Sequence, residues 1–198
     1  MRYTRAIEKV RTLAEACTAT AAIPGDHYFP LNEVYVFDEL LDGPESLDWV
    51  QIALVVDLPD TEVTWGRQPD DAYAVVYPLR LDKGGFSYFW RSHEQQVANH
   101  FIREPVRIWS KEDGIDDEAL EALKEKRFGD IPRPAFDKAL LADELAATLK
   151  HLREVSDEYW DSKWRRAHSG NGRYPENTLR DAVFGYLDLL DADQEAGS

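Results

Sequence analysis

Val34-Tyr35-Val36-Phe37-Asp38-Glu39-Leu40-Leu41-Asp42-Gly43-Pro44-Glu45-Ser46-Leu47-Asp48-Trp49-Val50-Gln51-Ile52-Ala53-Leu54-Val55-Val56-Asp57 is the stretch on which the fold turns. Two apolar runs flank a loop holding Asp42, Gly43 and Pro44. Such runs separated by turn residues predict a β-hairpin, with strands at about 33–38 and 49–56. Side chains two apart on a strand share a face, so Trp49 and Gln51 are expected on one side of the sheet.

Working outward, Ile7, Val10, Leu13, Ala14 and Cys17 recur at helical spacing and predict a helix over 3–20 that ends at Pro24-Gly25-Asp26. Pro69-Asp70-Asp71 reads as a helix start, although Pro78 opposes a straight helix. Phe86–Arg91 and Val106–Trp109 are aromatic and β-branched and predict strands. Asp116-Asp117-Glu118 opens a helix to about Lys126. Gly129–Pro134 is the best boundary in the chain. Beyond it, Leu140, Leu141, Leu145, Leu149, Leu152 and Val155 predict one helix over 136–167, and a last helix begins at Pro175 and frays after Asp191. The expected class is α+β: a small mixed or antiparallel sheet, helices on one side, and a C-terminal helical pair. The expected units are an α+β domain at 1–130 and a helical hairpin at 131–198 packed on it.

The 34–57 segment resembles the opening hairpin of the minimal nucleotidyltransferase superfamily. The family pattern is a strand ending in Phe-Gly-Ser, a loop with a second Gly, then Asp-x-Asp opening a buried strand. Phe37, Gly43 and the run Ile52–Val56 match. Asp38 and Glu39 stand where Gly-Ser belongs, and Trp49 and Gln51 stand where the two Asp belong. In active relatives the Gly-Ser pair holds a phosphate, and the Asp pair binds the Mg²⁺ that clamps the displacement. Trp49 and Gln51 carry no charge for a hard cation, and Asp38 and Glu39 repel phosphate. A later strand supplies a third carboxylate in active relatives; if that strand is Val106–Trp109, it offers Arg107. The resemblance therefore implies a catalytically degenerate fold with a binding or regulatory role. Two alternatives stay open: an active nucleotidyltransferase with relocated acids at Asp38, Glu39 and Asp48, and an unrelated α+β interaction module.

A second cluster runs from Tyr159 to Arg180. Five Lys or Arg (Lys163, Arg165, Arg166, Arg173, Arg180) face two acids, Asp161 and Glu176, in a chain of net charge −15. Arginines among aromatics bind phosphate and stack on bases, so Arg165, Arg166 and Arg173 are candidate anion-binding residues. The binding reading predicts that Trp160, Trp164 and Tyr174 line the join of the last two helices and the sheet while Arg165, Arg166 and Arg173 stay exposed on one surface; the bland alternative is an aromatic hinge between two helices, with Trp160 and Trp164 packed on the sheet and the arginines paired to local acids.

The rest of the sequence narrows the classes. A charge of −15 opposes nucleic acid and anionic membranes outside the 159–180 cluster, leaving a protein partner or an anionic ligand as the expected contact. Hydrophobic residues at 43% exclude wholesale disorder. No apolar stretch is long enough to span a bilayer, and no signal peptide is evident at Met1-Arg2-Tyr3, so a cytoplasmic location is expected. Cys17 stands alone, and His93 and His100 are seven apart, so no metal site is expected. Neither a Walker loop nor Gly-x-Gly-x-x-Gly occurs, and no cofactor is expected. The Arg–His spacing of the helical nucleases that partner nucleotidyltransferases is also missing.

Overall fold

The computed structural model describes residues 1–24, 28–170 and 174–196. The chain begins with α1 (Tyr3–Ala21), β1 (Leu31–Phe37), a 3-10 turn at Asp38–Asp42 and β2 (Val50–Val56). It continues through α2 (Tyr73–Leu79), β3 (Phe86–Ser92), β4 (Val106–Ser110), β5 (Gly114–Ile115) and α3 (Asp117–Lys124). The C-terminal part holds α4 (Leu141–Glu158), α5 (Ser162–Ala167) and α6 (Pro175–Ala196). The fold is α+β, as expected.

The five strands form one mixed sheet in the order β3-β2-β1-β4-β5. β1 and β2 are adjacent and antiparallel, with Phe37 opposite Gln51. β2 and β3 are parallel and joined by a crossover that contains α2. β4 pairs with β1 on its other side, so it does not neighbour β2.

Strand alternation sorts the core onto the two faces of the sheet. Val34 and Val36 of β1, and Val50, Ile52, Leu54 and Val56 of β2, pack with α1, α2 and α3. The α1 residues are the apolar stripe read from the sequence, and Cys17 is fully buried within it. Burial pushes the Cys17 thiol up to about 12. Tyr3 ties α1 to α3 by donating its hydroxyl to the Leu123 carbonyl at 2.6 Å. The opposite face presents Phe37, Ala53 and Val55, which pack with Trp65, Leu141 of α4 and Leu189 of α6. The C-terminal helices therefore cover the side of the sheet that α1–α3 leave open.

Three boundaries depart from expectation. α2 starts at Tyr73 rather than at Pro69, and it stops one residue beyond Pro78, where Arg80 takes a left-handed φ of 52°. The proline ring opposes continuation of the helix. The single helix expected over 136–167 is two helices. The chain leaves α4 after Glu158, and the Asp161 carboxylate accepts hydrogen bonds from the backbone N–H of Lys163 and Trp164 to start α5. Asp at that position is an N-cap, which ends one helix and begins another. α6, in contrast, continues past Asp191 to Ala196 instead of fraying. Of the expected stop after α1, Gly25 and Asp26 lie outside the described residues, as do Gly197 and Ser198 at the C-terminus. Among the described residues, no helix is long and apolar enough to cross a membrane.

Candidate functional site

The first candidate site is the end of the 34–57 hairpin. β1 finishes at Phe37, and Asp38 takes a left-handed φ of 62°. L-residues other than Gly, Asn and Asp rarely adopt that region, so the turn demands a special residue here. The 3-10 turn that follows is held by buried Leu40 and Leu41, while Asp38, Glu39 and Asp42 remain exposed. Gly43 caps it, also left-handed, and a Cβ there would come within 3.1 Å of the Phe128 ring. Lys126 donates to the Gly43 carbonyl at 2.6 Å and ties the loop to the segment after α3.

β2 begins at Val50, so Trp49 precedes the strand and is 57% exposed. Gln51 is half-buried, and its Oε1 is buried without a hydrogen-bond partner among the described residues. The strand next to Gln51 is β3, which places Ser87 beside it. β4, which carries Arg107, belongs to the same sheet but is separated from β2 by β1. Neither β3 nor β4 contains an Asp or Glu. Among the described residues, no group of three or more His, Cys, Asp or Glu is arranged to hold a metal ion.

Aromatic rings fill the same face of the sheet. Phe37 meets Phe89 at 5.7 Å and Phe101 at 6.0 Å between ring centres. Trp65 stacks on Phe89 at 5.6 Å. The Asp188 carboxylate of α6 accepts the Trp65 indole N–H at 2.6 Å and lies 2.8 Å from His100 Nε2. His100 thus meets Asp188, while His93 faces Asp57 at 3.5 Å, so the two histidines serve different carboxylates. Trp65 and Asp188 had no local signal in the sequence, because they are 123 residues apart.

Arg107 of β4 sits between Glu33 at 3.4 Å and Asp113 at 2.9 Å. Although burial lowers its pKa, its hydrogen bond to Glu33 and the two carboxylate charges prevail and raise it. Its charge is compensated within the sheet edge.

The second candidate site, 159–180, departs from the expected arrangement. Trp160 is 83% exposed and does not line the join, and Tyr174 is also exposed. Trp160 and Trp164 do not share a helix face, because the chain breaks between them at Asp161. Trp164 is half-buried and stacks on His168, with 4.0 Å between ring centres. Arg165 binds Glu176 at 2.6 Å and lies 4.8 Å over the Tyr159 ring. Hydrogen bonds to Tyr159 and Glu176 raise the Arg165 pKa, and the bond to Arg165 holds the Glu176 carboxyl below its ordinary value. Arg180 pairs with Asp181 at 3.0 Å. Arg166 is exposed, and Arg173 lies outside the described residues. Among the described basic residues, two, Arg165 and Arg180, are matched by carboxylates of α6.

Sequence reading missed His151. The buried stripe of α4 is Leu141, Thr148, His151 and Val155, rotated from the leucine stripe; Leu149 and Leu152 are only half-buried. His151 is 8% exposed. Its pKa falls to about 4, first because of burial, then because of Arg67, with His168 adding and Asp70 opposing.

No curated protein and no solved structure matches the chain. Residues 1–195 match the family described as "Domain of unknown function (DUF7711)", and the chain belongs to that family.

Proposed function

We propose that this protein is a nucleotidyltransferase-like fold that has lost metal-dependent transfer and acts by binding. The observation that carries the reading is the chemistry of one sheet face. Where the resemblance calls for carboxylates, this chain has Trp49 and Gln51, with Ser87 next to Gln51 on the adjoining strand. Phe37, Phe89, Phe101 and Trp65 occupy the same face with packed rings. A triphosphate with its Mg²⁺ needs oxygen ligands and open polar space, and these residues supply neither.

Three features favour the superfamily over an unrelated α+β module. The two strands of the hairpin are direct neighbours. β2 and β3 run parallel around a helical crossover. Asp38 holds a left-handed backbone at the position where the family has Gly. The backbone of that turn is kept while its phosphate-binding chemistry is gone.

Incubation of the protein with labelled ATP, Mg²⁺ and protein or nucleic-acid acceptors tests the proposal. The expected result is no transfer above background. Transfer that disappears in Asp38→Ala or Asp48→Ala would replace this reading with catalysis by relocated acids.

A further inference from the structure

β3 ends the sheet, and its outer edge is open. Val50 donates its backbone N–H to the Gly85 carbonyl at 3.1 Å at one end of the β2–β3 pair, and His93 donates to the Val56 carbonyl at 3.0 Å at the other. Backbone groups alternate in direction along a strand, so 85, 87, 89, 91 and 93 bond to β2, while Phe86, Tyr88, Trp90 and Ser92 turn theirs outward. The Ser92 carbonyl accepts from the Gln95 N–H at 3.2 Å. The backbone groups of Phe86, Tyr88 and Trp90 make no hydrogen bond along this edge with any described residue. Besides β2, the main neighbour of β3 is the turn at Asp60–Glu62, at the Ser92 end, where Ser92 donates its hydroxyl to the Leu58 carbonyl at 2.6 Å.

An open edge is a template for another strand, and proteins blunt such edges with charges, proline, bulges or short strands. The far end of this sheet is blunted, because β5 is only two residues long. Phe86-Ser87-Tyr88-Phe89-Trp90 has none of these devices: it holds no charge and no proline, and its register with β2 is unbroken. We propose that β3 pairs with β3 of a second copy of this chain, antiparallel about a two-fold axis at Tyr88, so that two five-stranded sheets become one. The proposal is independent of the nucleotidyltransferase-like reading.

The strand is its own complement. A two-fold axis at Tyr88 sets Tyr88 opposite the partner's Tyr88 and Phe86 opposite the partner's Trp90, and each pair exchanges both of its backbone hydrogen bonds. The three side chains lie on the sheet face that packs with α1–α3, where Tyr88 and Trp90 already meet edge-on at 5.9 Å between ring centres. Aromatic residues directly opposite one another stabilise such a ladder. Charge selects the partner. Although 31% of the chain is charged and its net charge is −15, two copies meet at this strand without setting like charges opposite each other. Arg91, the next residue, is buried and held by Glu144. A charged strand from another protein finds no counter-charge on Phe86–Trp90.

Sedimentation equilibrium of the full chain tests the proposal. A dimer is expected, tightened by added salt, because screening relieves the repulsion between two chains of net charge −15. Tyr88→Lys sets like charges opposite each other at the axis and should weaken association about tenfold, with its melting curve as the check on folding. Oxidative cross-linking gives a second readout. Opposed residues in a hydrogen-bonded antiparallel pair have Cα atoms about 5.5 Å apart, within disulfide reach. Tyr88→Cys is therefore expected to form a covalent dimer on oxidation, and Ser87→Cys, set opposite the partner's Phe89, is not. The native Cys17 is buried and does not compete. Three results would overturn the assignment: a monomer at millimolar concentration in high salt, which would leave the edge to a strand of a different protein; a dimer unchanged by Tyr88→Lys; or cross-linking of Ser87→Cys as fast as that of Tyr88→Cys.

Discussion

The Arg91 guanidinium, 1% exposed on β3, lies 2.5 Å from the Glu144 carboxylate on α4. Arg91 also donates twice to the Gln96 carbonyl, at 3.0 and 2.6 Å. The pair fastens the C-terminal helices to the sheet, beside the aromatic layer that fills the hairpin face. Removing one partner would strand a buried charge.

Glu144→Ala is therefore expected to cost about 3–5 kcal/mol, the usual penalty for breaking a buried pair from one side. Urea unfolding measures it. A double variant with apolar replacements at 91 and 144 should recover much of the loss, because no charge is then left unpaired. An unchanged midpoint in Glu144→Ala would show that Arg91 is satisfied by Gln96 alone.

Gly185 lies within α6 where the backbone of Trp65 approaches: a Cβ at 185 would come 2.1 Å from the Trp65 carbonyl oxygen. In an exposed helix Gly→Ala gains ~1 kcal/mol. Here Gly185→Ala should destabilise by about 1–3 kcal/mol or more, since rigid backbone must move. The melting temperature gives the sign. The Trp65–Asp188 hydrogen bond should loosen at the same time, and a change in indole N–H exchange would report it.

His151 makes stability pH-dependent. Its folded pKa of about 4 lies below the ordinary 6.5, so between these values the unfolded chain binds a proton that the folded chain does not. This contribution to stability is fully present above pH 6.5 and is lost as pH falls toward 4. Allowing for solvent at the mouth of the cavity that the ring lines, the loss is on the order of 2 kcal/mol. Subtracting the His151→Phe curve from the wild-type curve isolates it. The difference should slope downward with acid over this window; a flat difference would mean that His151 protonates in the folded state as easily as in the unfolded one.

Asp161→Ala removes two backbone hydrogen bonds at the start of α5. A lost N-cap costs about 1 kcal/mol. The larger expected effect is local: hydrogen exchange at Lys163 and Trp164 should rise well above that in α4 and α6. Uniform exchange across all three helices would argue that α5 is held by the Trp164–His168 stack instead.

Much of the fold was legible because it rests on short-range pattern. The α1 stripe from Ile7 to Cys17, the hairpin, and the cap at Asp116 with its bond from Ala119 each carry their signal within a few residues. The break at Asp161 was legible in principle, since Asp is a strong N-cap, but the apolar stripe on either side masked it. The stripe also misled at α4, where Thr148 and His151 are buried and the leucines beside them are only partly so. Tertiary packing overrides periodicity when polar residues border a cavity.

The sequence by itself determined the α+β class and the adjacency of 34–37 and 50–56, because composition and alternation are local properties. Only the tertiary structure decided that β3 rather than β4 lies beside Gln51, that Asp188 reaches Trp65 and His100, that Glu176 and Asp181 claim Arg165 and Arg180, and that His151 faces a cavity. Most of these relationships join residues far apart in the chain. Which strand pairs with which, and which charge meets which, depends on how the whole core closes, and no window of neighbouring residues contains that information.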